Sequence, residues 1–301
     1  MIFRLRRNAR TLLRLCAKDA LSRAAKQNRF WNARRMNTPR LCWKQACYAE
    51  RGESMLVAEQ IAKTYRGKGK SSLVHAVHPT SLTFENGRRY ALVGESGSGK
   101  TTLARMLTGI TRPSSGRITL DGQDVFSFRD RRELYKKVQL VFQDAGSSLN
   151  PQMTVYDLIA EPLRNLLSLS GKAEHEKVAM LMERMRLPPE LGRRKPRELS
   201  GGQQKRVSFA RAIGIAPALI ILDEAISGLD VIIRKEILEL LSDFQEDSGC
   251  SFLLITHDID VALFMADTIF VMKDGTIIER VNYSGSTDCF KHEYSRRLLC
   301  K

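Results

Sequence analysis

The sequence lacks any run of roughly 18 consecutive apolar residues, the length that a membrane-spanning helix requires. Hydrophobic residues still make up 43% of the 301 positions, which is enough for one large core or two smaller ones. We therefore predict that no segment crosses a membrane. Any role in a membrane process would depend on partner subunits.

Cysteines are few and scattered, and they show no spacing typical of a metal site. The six are Cys16, Cys42, Cys47, Cys250, Cys289 and Cys300. This pattern argues against a disulfide framework and favours a reducing compartment.

Acidic residues are scarce in residues 1–54, which hold three acids against 14 lysines and arginines. Apolar residues recur there at helical spacing, at Ile2, Leu5, Ala9, Leu12, Leu13 and Cys16. Such a basic amphipathic helix could lie on an anionic membrane, bind nucleic acid or act as an organelle presequence. A secretory signal is excluded because arginines interrupt the short apolar run.

Residues 55–301 form the predicted domain, and residues 1–54 form a basic extension, either disordered or an amphipathic helix. Met55 begins a segment that reads like a domain start. A wrongly assigned start codon or a dispensable tail is therefore a further interpretation of residues 1–54.

A phosphate-binding loop stands at residues 94–101 (GESGSGKT), which match the pattern G-x-x-x-x-G-K-[ST] at every fixed position. A predicted strand at 89–93 enters it and a predicted helix at 102–107 leaves it. Bare amides and the helix dipole would face phosphates. Lys100 would reach the β- and γ-phosphates, and the Thr101 hydroxyl would hold Mg²⁺. The alternative is a glycine-rich turn that binds nothing.

Strands and helices alternate along the rest of the domain, which predicts an α/β fold with its ligand at the strands' carboxyl ends. The apolar runs at 219–222 and 252–255 suit strands buried on both faces of a parallel sheet. Further strands are predicted at 56–58, 73–77, 81–84 and 116–126, and residues 128–200 are mainly helical.

An acidic pair, Asp223 and Glu224, ends the apolar strand at 219–222. Asp223 would hold Mg²⁺, and Glu224 would act as the general base on the attacking water. The alternative is that these two acids are solvated residues at a strand end without a catalytic role. The phosphate loop earlier in the chain makes that alternative less favoured.

Four weaker motifs accompany this pair: Gln143 at a strand end, LSGGQ at 199–203, a turn at 227–230, and His257 at the end of another strand. Ser200 suits a helix N-cap, and the glycines after it leave amides bare. Each motif alone also has an ordinary structural explanation.

Taken together, these motifs resemble those of the ATP-binding cassette (ABC) ATPases over residues 55–290, and LSGGQ is specific to that family. The resemblance implies a phosphate-loop NTPase fold. Its parts are a RecA-like parallel-sheet core, an antiparallel β subdomain and a helical signature subdomain at about 128–212.

The same resemblance implies the cofactors ATP and Mg²⁺ and a set of site residues. Those implied for ATP are Tyr65 (stacked on adenine), Gly94, Glu95, Ser96, Gly97, Ser98, Gly99, Lys100, Thr101 and Thr102. Those implied for Mg²⁺ are Thr101, Gln143 and Asp223, and those for catalysis are Glu224, His257 and Gln143. The signature residues Leu199, Ser200, Gly201, Gly202 and Gln203 would act on a partner's ATP, beside the D-loop Ser227, Gly228, Leu229 and Asp230.

ABC ATPases pair head to tail, so the resemblance implies a second cassette, either a different subunit or a second copy. Residues 141–144 (VFQD), 148–151 (SLNP), 161–163 (EPL) and 292–299 (HEYSRRLL) resemble the oligopeptide, dipeptide and nickel importer ATPases. In the last motif Glu293 replaces the usual proline. That subfamily implies two membrane permeases, an extracytoplasmic binding protein and the inner face of a bacterial membrane, without nucleic acid.

The cargo expected from the resemblance is peptide, or nickel with or without a metallophore. Ala225 after the acidic pair and the short ending both favour nickel. One alternative is a non-transport cassette such as that of carbon–phosphorus lyase, and another is a silent ATP-gated subunit. A DNA-repair cassette is disfavoured, because the long coiled-coil insertion of that class is missing.

Overall fold

Two β-sheets organise the computed structural model, which describes residues 54–66 and 73–299. This confirms the predicted α/β phosphate-loop fold with parallel and antiparallel sheets. The strands are β1 (Ser54–Arg66), β2 (Leu73–Glu85), β3 (Arg89–Val93), β4 (Ser115–Leu120), β5 (Gln123–Asp124), β6 (Val138–Val141), β7 (Leu219–Asp223), β8 (Ser251–Thr256), β9 (Thr268–Lys273) and β10 (Thr276–Asn282).

The larger sheet has the strand order β10-β9-β3-β8-β7-β6, and all neighbours are parallel except β10 and β9. Its strand β3 leads into the phosphate loop and lies beside β8, with Val93 paired to Thr256. The end of β7 is in register with β8 through Asp223 and Ile255. The carboxyl ends of β3, β7 and β8 therefore meet at one edge of the sheet.

Side chains of β7 alternate between two hydrophobic clusters. Ile220 and Leu222 pack into the cluster formed with the helices, whereas Leu219 and Ile221 pack into the cluster that includes the smaller sheet. Since both faces of the strand are covered, its sequence is continuously apolar rather than alternating.

The smaller sheet is antiparallel in the order β2-β1-β4-β5. Its strand β2 is continuous, whereas the sequence predicted two strands, at 73–77 and 81–84. The register with β1 shifts between the pairs Lys63–Val77 and Ile61–Thr80. The interruption at His78 and Pro79 is therefore a bulge within one strand, a position that tolerates proline.

Nine helices are found within the described residues. They are α1 (Lys100–Leu107), α2 (Arg131–Lys137), α3 (Ala145–Ser148), α4 (Val155–Leu167), α5 (Gly171–Arg184), α6 (Gly201–Ile213), α7 (Val231–Ser248), α8 (Ile259–Met265) and α9 (Glu293–Leu298). Short 3₁₀ turns occur at Pro189–Arg193, Pro196–Glu198 and Thr287–Cys289. In this described part of the chain, no helix is both long and apolar enough to span a bilayer.

The helical region predicted at 128–212 contains α2 to α6 but also strand β6, which pairs with β7 in the larger sheet. The extension predicted at 1–54 lies outside the described residues except for Ser54, which begins β1.

Candidate active site

A cleft of about 520 Å³ opens at the sheet edge where β3 and β7 end. It brings together residues from five separate stretches of the chain. Its lining consists of Val74, His75, Ala76, Ser96, Gly97, Gly99, Lys100, Thr101, Thr102, Gln143, Glu224, Asp274 and Gly275. Six of the predicted ATP-binding residues, together with Gln143 and Glu224, therefore line the same cleft.

Glycine is required at two positions of the phosphate loop by close backbone approach. A Cβ on Gly94 would lie 2.1 Å from the Met272 carbonyl oxygen, and one on Gly99 would lie 2.2 Å from that of Ala76. Gly99 also has φ 100° and caps α1. These contacts press the loop against β2 and β9. The first residues of α1, Lys100 to Thr102, line the cleft, and the first-turn amides of a helix have no partner within it.

The Lys100 side chain folds back over the loop instead of extending into solvent. Its Nζ donates to the carbonyl oxygens of Gly94 at 2.9 Å and Glu95 at 2.8 Å. Burial lowers the pKa of Lys100, while the Glu224 and Asp223 carboxylates oppose that shift. A buried, preoriented cation beside bare amides is suited to bind phosphates.

Thr101, which lines the cleft, contacts Asp223, although 122 positions separate them. The Thr101 hydroxyl donates to Asp223 Oδ1 at 3.2 Å. Burial raises the pKa of Asp223, because the carboxylate has little contact with water. A desolvated carboxylate beside a hydroxyl is a set of oxygen donors that fits Mg²⁺, and Gln143 adds an amide oxygen to the same cleft.

Glu224 adopts a left-handed backbone, with φ 48°, which is uncommon for a residue other than glycine. Its N–H donates to Ile255 O at 2.9 Å, and its carbonyl accepts the Ser227 hydroxyl at 2.6 Å. These bonds hold the strained backbone and turn the side chain toward the cleft. His257 Nδ1 lies 3.6 Å from Glu224 Oε2, so the two side chains are neighbours without a hydrogen bond.

The LSGGQ segment begins α6 with a reciprocal cap. The Ser200 amide donates to Gln203 Oε1 at 2.9 Å, and the Gln203 amide donates to Ser200 Oγ at 3.3 Å. Ser200 and Gly201 are exposed, and no residue of the segment lines the cleft described above. The signature surface of one chain is therefore separate from its own phosphate loop.

The turn at 227–230 connects the acidic pair to α7. Gly228 takes φ 69°, and Asp230 caps α7 by accepting the amides of Ile232 and Ile233. The next two side chains, Val231 and Ile232, are largely exposed. The turn thus presents an apolar surface directly after the candidate base.

Among the predicted ATP-binding residues, the cleft lining omits Tyr65 and the phosphate-loop residues Gly94, Glu95 and Ser98, and it also omits Asp223 and His257. Tyr65 lies on β1, outside the phosphate loop. Its ring is partly exposed, with Lys63 Nζ 5.3 Å from the ring centroid. Its strand partner Val74 does line the cleft. The adenine-stacking role of Tyr65 therefore stays a prediction.

The sequence did not predict that β2 and the turn between β9 and β10 would line the cleft. Asp274 and Gly275 form the hairpin turn there, and the Gly275 amide donates to Ser98 O at 3.0 Å. Their Asp-Gly pair is a hairpin signal. Only the order of strands in the sheet, however, places that hairpin beside the phosphate loop.

Comparison with protein families matches residues 77–227 to the family described as ABC transporter. The oligopeptide transport ATP-binding protein OppF of Lactococcus lactis subsp. lactis is 40% identical, over 75% of this chain and 72% of its own length. The nickel import ATP-binding protein NikE of Brucella suis biovar 1 is 37% identical, over 81% of this chain and 94% of its own length.

Solved structures show the same architecture. One is the dimeric, post-hydrolysis ATP-binding cassette MJ0796 bound to ADP and Pi. It has a TM-score of 0.70 and 29% identity over 76% of this chain and 99% of that chain. Another is cbiO1 of Clostridium perfringens, part of the ABC transporter complex cbiONQ. It has a TM-score of 0.67 and 31% identity over 76% and 88% of the two chains.

Proposed function

Because the chain belongs to the ABC transporter family, we propose that it is the ATP-hydrolysing subunit of an importer for peptides or nickel. ATP binding and hydrolysis follow from the family. The observation that carries the proposal is the single cleft that joins the phosphate loop, Gln143 and Glu224.

Lys100 and the first amides of α1 bind the phosphates of ATP in this proposal. The ammonium already has a fixed position, since two loop carbonyls hold it. On binding ATP it exchanges those partners for phosphate oxygens, which stabilise the charge more strongly. The amides that face the cleft neutralise the remaining negative charge without reorganising.

Thr101, Asp223 and Gln143 would hold Mg²⁺, for which their oxygen donors are suited. The ion, when bound, neutralises phosphate charge and orients the phosphate chain. Thr101 lines the cleft and its hydroxyl is already in contact with Asp223, so the two oxygen donors are adjacent.

Glu224 acts as the general base, and His257 supports the γ-phosphate beside it. The Glu224 carboxylate is mostly buried yet opens onto the cleft, which allows it to take a proton from a water molecule. His257 directly follows the neighbouring strand β8, and its Nδ1 lies 3.6 Å from Glu224 Oε2. General base catalysis of this kind typically contributes about 10²–10⁴ in rate.

A second cassette completes the site, because the LSGGQ segment lies on a different surface from the cleft of its own chain. Ser200 and the exposed amides of α6 would reach the γ-phosphate bound by a partner. The D-loop turn at 227–230 would lie at the same interface. ATP then closes the pair and hydrolysis opens it, which provides a two-state element that can drive a transporter.

The importer role and its cargo are inferred from the relatives. OppF is named for oligopeptide transport and NikE for nickel import, and both identities extend over most of the ATPase domain. We therefore place the chain at the cytoplasmic face of a membrane, bound to two permease subunits that receive cargo from a binding protein.

Co-purification tests this assignment. The chain is expressed with its genomic neighbours, membranes are solubilised in detergent, and ATPase activity is measured on the product, with Lys100→Ala as the inactive control. We expect recovery with multi-span proteins and a second cassette, and uptake assays with nickel and with peptides then identify the cargo. Recovery of an active ATPase from the soluble fraction alone would instead support a non-transport complex.

A further inference from the structure

We propose that Tyr294, on the C-terminal helix α9, is a positioning residue of the ATP site that fixes the peptide holding the Lys100 ammonium. The inference rests on the ATP-binding role proposed above and deepens it. None of the motifs that identify the site includes a role for this side chain.

One peptide group of the phosphate loop is held from both ends. The Glu95 N–H donates to the Tyr294 hydroxyl at 3.2 Å. The carbonyl of the same peptide, that of Gly94, accepts from Lys100 Nζ at 2.9 Å. Since a peptide is planar, rotation at one end moves the other. The Tyr294 hydroxyl therefore restricts the orientation of the carbonyl that positions the ammonium.

The same tyrosine also contacts the strand against which the loop is pressed. Gly94 packs against β9, where an added Cβ would meet Met272 O at 2.1 Å. The next residue of β9, Lys273, places its Nζ 5.2 Å from the Tyr294 ring centroid, a cation–π distance. Tyr294 thus bridges the loop and its supporting strand.

Helix α9 has a rigid base for this contact. Leu298 and Leu299 are buried in the cluster that contains Ala91 and Val93 of β3, the strand that leads directly into the phosphate loop. The segment before the helix is tied down by Glu279, whose Oε1 accepts the His292 amide at 3.0 Å. Because helix and loop share β3 as a support, the packing of α9 holds the Tyr294 hydroxyl beside the Glu95 amide.

Loss of the hydroxyl would leave the Glu95 amide without this acceptor, so the peptide could rotate and release Lys100. The ammonium would then spend less time in the orientation that accepts phosphates. A neutral hydrogen bond of this type corresponds to a change of about 3- to 10-fold in an equilibrium constant. We expect the change in ATP affinity and not in the chemical step, since Tyr294 does not line the cleft and touches no reacting atom.

The test compares Tyr294→Phe with Tyr283→Phe in the full chain. Tyr283 packs in the same cluster as α9, so its variant removes a hydroxyl from similar surroundings. The dissociation constant is measured by competition of ATP against a fluorescent ATP analogue, and Tm is measured without nucleotide. We expect Tyr294→Phe to raise the dissociation constant for ATP about 3- to 10-fold with Tm unchanged, and Tyr283→Phe to leave it unchanged.

Steady-state kinetics separate positioning from chemistry, because KM for ATP should rise while kcat is retained. An ATP affinity within twofold of wild type, or a weakening of ATP binding matched by a fall in Tm larger than that of Tyr283→Phe, would overturn the proposal.

Wild type and Lys100→Ala are measured in parallel. If these two bind ATP equally, the phosphate-loop assignment itself fails, which is a different result from failure of the Tyr294 proposal alone.

Discussion

Gly97 and Gly99 have similar left-handed backbones, with φ 84° and 100°, but different surroundings. No heavy atom lies within 4 Å of a Cβ added to Gly97, whereas one on Gly99 meets a backbone oxygen at 2.2 Å. We expect Gly97→Ala to cost about 1–2 kcal/mol of unfolding free energy through backbone strain. Gly99→Ala should cost about 1–3 kcal/mol more, because β2 must shift.

Denaturant unfolding of the two variants measures this difference without nucleotide. Equal destabilisation would mean that the contact between the loop and β2 contributes nothing, and that only the backbone angle requires glycine.

Glu224 combines the features of a general base: a strained backbone, a mostly buried carboxylate and an opening to the cleft. We expect Glu224→Gln to lower kcat by about 10²–10⁴ while ATP binding is retained, because the amide cannot accept the proton of water. ATPase and nucleotide-binding assays measure the two effects, and Glu59→Gln, an exposed change on β1, is the control. Hydrolysis at the wild-type rate would remove Glu224 from the base role.

At the scale of elements, α4 and α5 are joined through the buried carboxylate of Glu174. It accepts Arg164 Nε and Nη2, both at 2.7 Å, and the Tyr156 hydroxyl at 2.9 Å. The bonds from Arg164 hold the pKa of Glu174 below its ordinary value of 4.5. A depressed pKa means that the carboxylate stabilises the fold above that value and loses this contribution as the pH falls through the folded-state pKa.

We therefore expect Glu174→Gln to lower Tm at neutral pH more than Glu176→Gln, a change at an exposed glutamate two positions along α5. The gap between Glu174→Gln and wild type should narrow only as the pH falls below 4.5 and through the lowered folded-state pKa of Glu174, since acid then neutralises the native carboxylate as well. Thermal melts across this pH range measure it. A gap that is constant with pH would show that the ionised form of Glu174 contributes nothing to stability.

The elements that could be predicted from the sequence are those marked by a pattern within a short stretch of residues. The run at 219–222 is apolar because both faces of β7 are covered, and the phosphate loop is recognisable from its glycines, Lys100 and Thr101. The continuous β2 was missed, since the pattern break at Pro79 is absorbed by a bulge against β1. The contact between Tyr294 and Glu95 spans 199 positions and depends on the order β10-β9-β3, which no local pattern encodes.

At the scale of the whole molecule, the proposed pairing gives one chain two half-sites on separate surfaces. The cleft holds the phosphate loop, and the exposed N-terminus of α6 carries Ser200. A related cassette, MJ0796, is dimeric with ADP and Pi bound. If the proposed pairing is right, damage to each half-site should have a different consequence for binding and for association.

The variant Ser200→Arg, made in a Glu224→Gln background, separates the effect on ATP binding by one chain from the effect on association of two chains. The bulky cation replaces an exposed cap residue, so ATP affinity of the single chain should be unchanged, whereas the ATP-dependent dimer should be lost because the partner's phosphates are blocked. Lys100→Ala in the same background should lose both. Light scattering with and without ATP, on the chain alone and with the cassette that co-purifies, measures association. A dimer that survives Ser200→Arg, or a matching loss of single-chain ATP affinity, would show that the signature surface does not act on a partner's nucleotide.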